Sequence, residues 1–167
     1  MTPATASGAT LRYRGDAPPP PGESSMQQVK HLLESKGKEV YAVAPDAPVY
    51  EAIRQMAEKN VGALVVLKGS ELVGIISERD YARKVILKDR SSRDTPVADI
   101  MTQTVITVST GATVDECMRL CTDSRLRHLP VRDGDRVVGV ISIGDLVKAV
   151  ISEQKQTINQ LESYITS

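Results

Sequence analysis

The 167-residue sequence contains no Trp and no Phe, and only five Tyr. Proteins that hold single-stranded nucleic acid stack bases on aromatic rings along a cationic groove. Here rings are scarce and charge is balanced, 21 Lys and Arg against 21 Asp and Glu, so no nucleic-acid partner is expected. Cysteine is limited to Cys117 and Cys121, which share helical spacing with Val114 and Met118. Without a Cys-x-x-Cys spacing or neighbouring His ligands, the two thiols read as core packing in a reducing compartment rather than as a metal or redox pair. No run approaches the roughly 18 apolar residues of a membrane span, so no membrane association is expected. Nor does any Gly-x-x-x-x-Gly-Lys-Ser/Thr run mark a phosphate-cradling NTPase. Met1–Ser25 is dominated by Ala, Thr, Ser, Gly and Pro, with a run at Pro18–Pro21 and no apolar core of a secretory signal. It reads as a disordered leader on a cytoplasmic protein.

What the chain does contain is one passage twice. Shifted by 65 positions, Val40–Ile86 falls on Val105–Ile151 without a gap, pairing Ala47 with Ala112, Glu51 with Glu116, Gly74 with Gly139, Ser77 with Ser142 and Asp80 with Asp145. A repeat of this length is a small domain rather than one turn of a solenoid. Two copies imply a pseudo-symmetric α+β pair, and two related halves can hold a ligand in a cleft.

The local patterns give each copy the order strand, helix, strand, strand, helix. In the first, Val40–Val43 reads as a strand, Val49, Ile53, Met56 and Ala57 as the inner face of a helix, and Ala63–Leu67 and Leu72–Ile76 as a hairpin turned by Gly69. A helix from Tyr81 to about Leu87 closes it. In the second, the strands are Val105–Val108, His128–Val131 and Val137–Ile141, and the helices run over Val114–Thr122 and from about Gly144. The predicted boundaries are a leader at 1–25, an N-terminal helix at 26–37 ending at Gly37, repeat one at 38–88, a linker at 89–101 whose Val97–Met101 part serves as a hinge, repeat two at 102–151, and a helical extension at 152–167. Met26, Val29, Leu32 and Leu33 form the apolar face of the first helix. Val147, Val150, Ile151, Ile158, Leu161 and Ile165 continue an apolar stripe beyond the second repeat, which predicts a homodimer through the end helices.

Each copy carries a glycine, two β-branched residues, a serine and, three residues later, an aspartate: Gly74-Ile75-Ile76-Ser77-Glu78-Arg79-Asp80 and Gly139-Val140-Ile141-Ser142-Ile143-Gly144-Asp145. A serine three residues before a carboxylate at a helix start is a capping box. The same geometry serves a ligand, because a helix N-terminus offers N–H groups and a partial positive charge and a carboxylate can accept two hydrogen bonds from a ribose diol. A glycine such as Gly144 permits close backbone approach.

These motifs, with Val61-Gly62-Ala63-Leu64-Val65-Val66 and Arg127-His128-Leu129-Pro130-Val131, resemble the CBS domain family, the cystathionine beta-synthase type modules that occur in tandem. The resemblance implies a regulatory pair that binds an adenine nucleotide in its central cleft: AMP most often, otherwise ADP, ATP, NAD or S-adenosylmethionine. It further implies that the adenine meets strand residues of one repeat while the ribose meets the aspartate of the other. Carried onto this chain, one site joins Val105, Ile106 and Leu126 to Ser77, Arg79 and Asp80. The other joins Val40, Tyr41, Val61 and Gly62 to Ser142, Gly144 and Asp145. The copies differ in cations: Arg125, Arg127 and His128 stand where repeat one has Asn60, Gly62 and Ala63, and Arg79 stands where repeat two has Gly144. Arg suits phosphate, so the Asp80 site is expected to be the more cationic, with Arg127 and His128 either ligand-facing or a solvated strand end. Arg83 and Lys84 either reach a phosphate or coat their helix.

Three functions remain in view. The first is a nucleotide sensor acting on an unidentified protein in trans. The second is a dimerisation module whose motifs only cap helices. The third, an enzyme, lacks any recognisable nucleophile, acid–base pair or metal cluster.

Overall fold

The computed structural model describes residues 27–37 and 39–166. The predicted leader and Met26 lie outside the described residues. Five helices and six strands follow in chain order: α1 (Val29–Lys36), β1 (Ala42–Val43), α2 (Val49–Lys59), β2 (Ala63–Lys68), β3 (Glu71–Ser77), α3 (Glu78–Lys84), β4 (Val108–Ser109), α4 (Val114–Ser124), β5 (His128–Asp133), β6 (Arg136–Ser142) and α5 (Ile143–Thr166). Single 3-10 turns occur at Ile86–Lys88 and Val97–Asp99. The strands form two three-stranded sheets, ordered β1-β2-β3 and β4-β5-β6. The predicted α+β duplication is therefore present in both copies.

The chain forms two compact units, and their membership departs from the sequence order. Unit 1 takes Glu39–Thr107 with Asp135–Val137, and unit 2 takes residues 27–37, Val108–Gly134 and 138–166. The helix that precedes repeat one thus belongs with repeat two, and the segment that precedes repeat two belongs with repeat one.

Backbone hydrogen bonds show why. In unit 1 the amide of Val49 donates to the carbonyl of Thr95 at 2.9 Å, and the amide of Val97 donates to Ala47 at 2.8 Å. In unit 2 the amide of Val114 donates to Gln27 at 2.9 Å, and the amide of Val29 donates to Ala112 at 2.9 Å. Val49 and Ala47 are the repeat partners of Val114 and Ala112, so the segments at Gln27–Val29 and Thr95–Val97 make the same reciprocal pair. Each supplies a carbonyl to the first amide of the helix that follows, which would otherwise lack a partner.

The two glycines of the repeated motif serve this packing. A Cβ on Gly74 would lie 2.6 Å from Sδ of Met101 and 3.1 Å from the carbonyl oxygen of Thr102. One on Gly139 would lie 2.5 Å from Cδ2 of Leu33. Val97 and Ile100, read as part of a hinge, are instead buried in the unit 1 core with Met56, Leu64, Val66 and Ile76. Unit 2 buries Val29, Leu32 and Leu33 of α1, and Cys117, Cys121, Leu129, Ile141 and Leu146.

Three local readings need correction. The strands expected at Val40–Val43 and Val105–Val108 shrink to Ala42–Val43 and Val108–Ser109. Only those residues are laddered, Ala42 and Val43 on Val65 and Val66, and Val108 and Ser109 on Val131 and Arg132. β-propensity expresses itself only where a partner strand is in register. Helix α3 ends at Lys84, not Leu87. Val85 leaves helical geometry with its side chain buried, and Asp89 closes the following turn with φ 53°.

Replacement of Gly139 by Ala is expected to destabilise the protein by about 1–3 kcal/mol through overpacking against Leu33. Chemical denaturation of the variant checks this; unchanged stability would mean that α1 does not pack on β6 in solution.

Candidate functional site

The two signature segments fold alike. Ser77 precedes α3, its Oγ accepts the amide of Asp80 at 3.2 Å, and Asp80 Oδ2 accepts both the amide and the hydroxyl of Ser77 at 3.0 Å. In unit 2, Ser142 Oγ accepts the amide of Asp145 at 3.1 Å and Asp145 Oδ2 accepts the amide of Ser142 at 2.8 Å. Both are reciprocal capping boxes. One further amide is satisfied in each: Glu78 donates to the carbonyl of Gly62 at 3.1 Å, and Ile143 donates to that of Arg127 at 2.8 Å. Gly62 and Arg127 are repeat partners, which explains a shared role for such different residues.

Each aspartate also holds a lysine. Lys84 Nζ lies 3.0 Å from Asp80 Oδ1 and donates to the carbonyl of Ile100 at 2.9 Å. Lys36 Nζ, delivered from α1, lies 2.6 Å from Asp145 Oδ2 and donates to the carbonyl of Val140 at 2.8 Å. Lys84 therefore neither reaches out nor merely coats its helix. Lys36 was invisible in the motif, because no local pattern links residue 36 to residue 145. It also changes the expected cation balance, since each aspartate has its own lysine.

Electrostatics follow from these contacts. Burial opposes ionisation of Asp145 and is the largest single influence, yet the Lys36 hydrogen bond and charge and the bonds from Ser142 together hold its carboxyl below the usual value. The neighbouring His128 is pushed below the usual imidazole value, first by burial and then by the charge of Lys36, against a smaller opposing pull from Asp145. Burial raises the Cys117 thiol to about 12, with help from Cys121 and Glu116, so it stays protonated at neutral pH and is a poor ligand or nucleophile. Among the described residues no group of three or more His, Cys, Asp or Glu is placed to hold a metal ion. No helix there is long and apolar enough to cross a membrane.

The remaining predicted positions distribute as follows. Val105 is buried and Ile106 half-buried, both in unit 1 with Ser77, Arg79 and Asp80, whereas Leu126 belongs to unit 2. Val40, Tyr41, Val61 and Gly62 belong to unit 1, and Ser142, Gly144, Asp145, Arg127 and His128 to unit 2. Tyr41 packs on the unit 1 core, its hydroxyl donates to Glu39, and the Lys59 ammonium lies 5.5 Å from its ring centroid. Arg79 is exposed, as is Arg127, while His128 is half-buried at the start of β5. A Cβ on Gly144 would meet only Ser142 Oγ, at an ordinary 3.6 Å. Its glycine is thus not demanded by the chain's own packing.

Paired strand–helix–strand–strand–helix units, each entering its last helix through a serine–aspartate box, define a tandem α+β module. The chain belongs to the CBS domain family, whose model matches residues 29–87 and 97–152. It is 43% identical over 146 residues, 82% of this chain and 71% of the relative, to the mitochondrial CBS domain-containing protein CBSX3 of Arabidopsis thaliana. A candidate signal-transduction protein with CBS domains from Burkholderia ambifaria MC40-6 superposes with TM-score 0.74 at 50% identity, covering 77% of this chain and 96% of that one. The CBS domain pair of protein MJ0100, solved with 5′-methylthioadenosine and S-adenosyl-L-methionine, superposes with TM-score 0.65 at 26% identity, covering 73% and 98%.

His128 binds its proton less readily when folded, so its contribution to stability is complete above about pH 6.5 and is lost as pH falls from there toward the depressed folded value. Asp145 has the same sign in a lower window: its contribution holds above about pH 3.8 and is lost as pH falls through the depressed folded value. Urea unfolding between pH 5 and 8 should therefore show stability falling toward pH 5, with a shallower slope in His128→Gln. An unchanged slope would place the titration elsewhere.

Proposed function

We propose that this chain is a regulatory module that binds an adenine nucleotide through the helix starts at Ser77–Asp80 and Ser142–Asp145. AMP is the first candidate, with ADP, ATP and NAD as alternatives. The observation that carries the reading is the duplication of one hydrogen-bonded serine–aspartate constellation in both units. Its chemistry suits a ribose diol better than a phosphate, since at each helix start one helical amide is taken by the serine hydroxyl and another by the carbonyl of Gly62 or Arg127, while the aspartate presents a carboxylate. The two ligands of MJ0100 share adenosine and carry no phosphate, which agrees with that emphasis. We assign Val40, Tyr41, Val61, Gly62, Val105, Ile106 and Leu126 to the adenine side of the ligand. Arg79 lies within the first box, and Gly144 within the second leaves room for ligand contact with the backbone.

Ligand acts by binding one arrangement of the module better than another, and the output passes to a protein partner in trans. Two buried, unpaired thiols suit a reducing compartment such as the cytoplasm. No catalytic step is assigned.

A second reading is that the boxes only cap helices, and one observation favours it: both aspartates are already engaged in an ion pair and a cap. Thermal unfolding with AMP, ADP, ATP, NAD and S-adenosylmethionine separates the two. Ligand at 100 times its dissociation constant is expected to add about 2.7 kcal/mol, and Asp80→Ala with Asp145→Ala is expected to abolish the gain. Gly144→Ala is expected to leave apo stability equal or raise it by up to about 1 kcal/mol, while weakening ligand. A full gain in the double variant would reject these sites.

We also propose that the chain is a homodimer through α5. Val147, Ile151, Ile158, Leu161 and Ile165 are exposed on this helix, and with Gln154 they repeat at alternating spacings of four and three. That is a heptad seam with Ile at the three a positions and Leu161 at d, a combination that favours two strands. Sedimentation should give a dimer, and Ile158→Asp with Leu161→Asp should give a folded monomer. A dimer that survives both changes would locate the interface elsewhere.

A further inference from the structure

We propose that Lys36 is a built-in competitor for ligand at Asp145, so that it sets the affinity of that site; the inference rests on the nucleotide reading above. The geometry leads there in three steps. The ammonium occupies Oδ2 of the carboxylate at 2.6 Å and is steadied by the carbonyl of Val140 at 2.8 Å. A ribose hydroxyl seeking the same oxygen meets a charge-assisted bond, which is stronger than the neutral-donor bond it would make.

The helix that carries Lys36 is itself fixed. Its N-terminal end is tied to repeat two by Val29 and Lys30, whose amides donate to Ala112 at 2.9 Å and Thr110 at 3.0 Å, and Leu33 packs on Gly139. Lys36 is the last residue of α1, so only its flexible stem needs to move. Its side chain is 37% exposed and that of Asp145 is 22% exposed, which leaves the ammonium a path into solvent. Displacement thus costs the ion pair and not the fold.

The arrangement is not inherited from the duplication. The repeat begins at Val40, so Lys36 lies outside it, and the 65-residue shift takes Lys84 to Ala149, yet both aspartates carry a lysine that is also bound to a backbone carbonyl. Two unrelated lysines reaching one solution marks the neutralised carboxylate as a feature of both helix starts rather than of one. The groups acting on Asp145 are Lys36 from α1, Ser142 from β6 and His128 at the start of β5; only Lys36 bonds the carboxylate by a charged donor.

Calorimetric titration of the full chain with AMP tests this in an Asp80→Asn background, which isolates the Asp145 site. Lys36→Met is expected to bind AMP roughly fivefold more tightly, the scale of a partly exposed ion pair, and Lys36→Arg is expected to stay near the parent. Equal or weaker binding by Lys36→Met, with AMP still bound by the parent, would overturn the competition and leave the nucleotide reading standing. AMP binding by no variant, including the unmodified chain, would overturn both. Carboxyl-carbon NMR of Asp145 is expected to show its pKa rise in Lys36→Met; no change would overturn the ion pair itself.

Discussion

The structure depends on a reciprocal pair of backbone hydrogen bonds made twice, between Ala47 and Val49 and the segment around Thr95–Val97, and between Ala112 and Val114 and the segment at Gln27–Val29. Each pair fixes the entry to a helix whose first amides need partners, and in doing so recruits the segment that precedes the other repeat. Much follows from that recruitment. Met101 is brought onto Gly74 and Leu33 onto Gly139, so both motif glycines are packing residues. The core of unit 1 gains Val97 and Ile100, and that of unit 2 gains Val29, Leu32 and Leu33.

The same recruitment places Lys36 beside Asp145. A carboxylate at a helix start already gains from two backbone or hydroxyl donors and the local dipole; a lysine at 2.6 Å adds a charged partner and lowers the proton affinity of both Asp145 and His128. Asp80 is paired with Lys84, from within its own helix. The two halves therefore each pair an aspartate with a lysine and are unlike in construction.

Capping and ligand recognition are not competing descriptions of the serine–aspartate boxes. The cap orients the carboxylate and satisfies the amides that would otherwise compete for it, which is what a preorganised hydroxyl receptor requires. What distinguishes the halves is the residue after the first helical position, exposed Arg79 in one and sterically undemanded Gly144 in the other.

The duplication, the order of elements and the serine–aspartate boxes were legible in the residues, because apolar periodicity, turn glycines and capping chemistry are local. Gly37 ended α1 with φ 102° as its position indicated, and the Cys117–Cys121 stripe is buried. Strand length was not legible: Val40, Tyr41, Val105 and Ile106 have strand-forming character, but ladders require a partner in register and none is formed there. The hinge at Val97–Met101 failed for a related reason, since a short apolar run between two repeats has no local mark of which core it joins. Lys36 lies 109 residues from Asp145, and no spacing rule spans that distance. The sequence by itself determined what each segment can become, because helix, turn and cap are set within a few residues; only the tertiary structure decided which segment completes which unit and which cation meets each aspartate, because those choices rest on packing and charge between residues far apart in the chain.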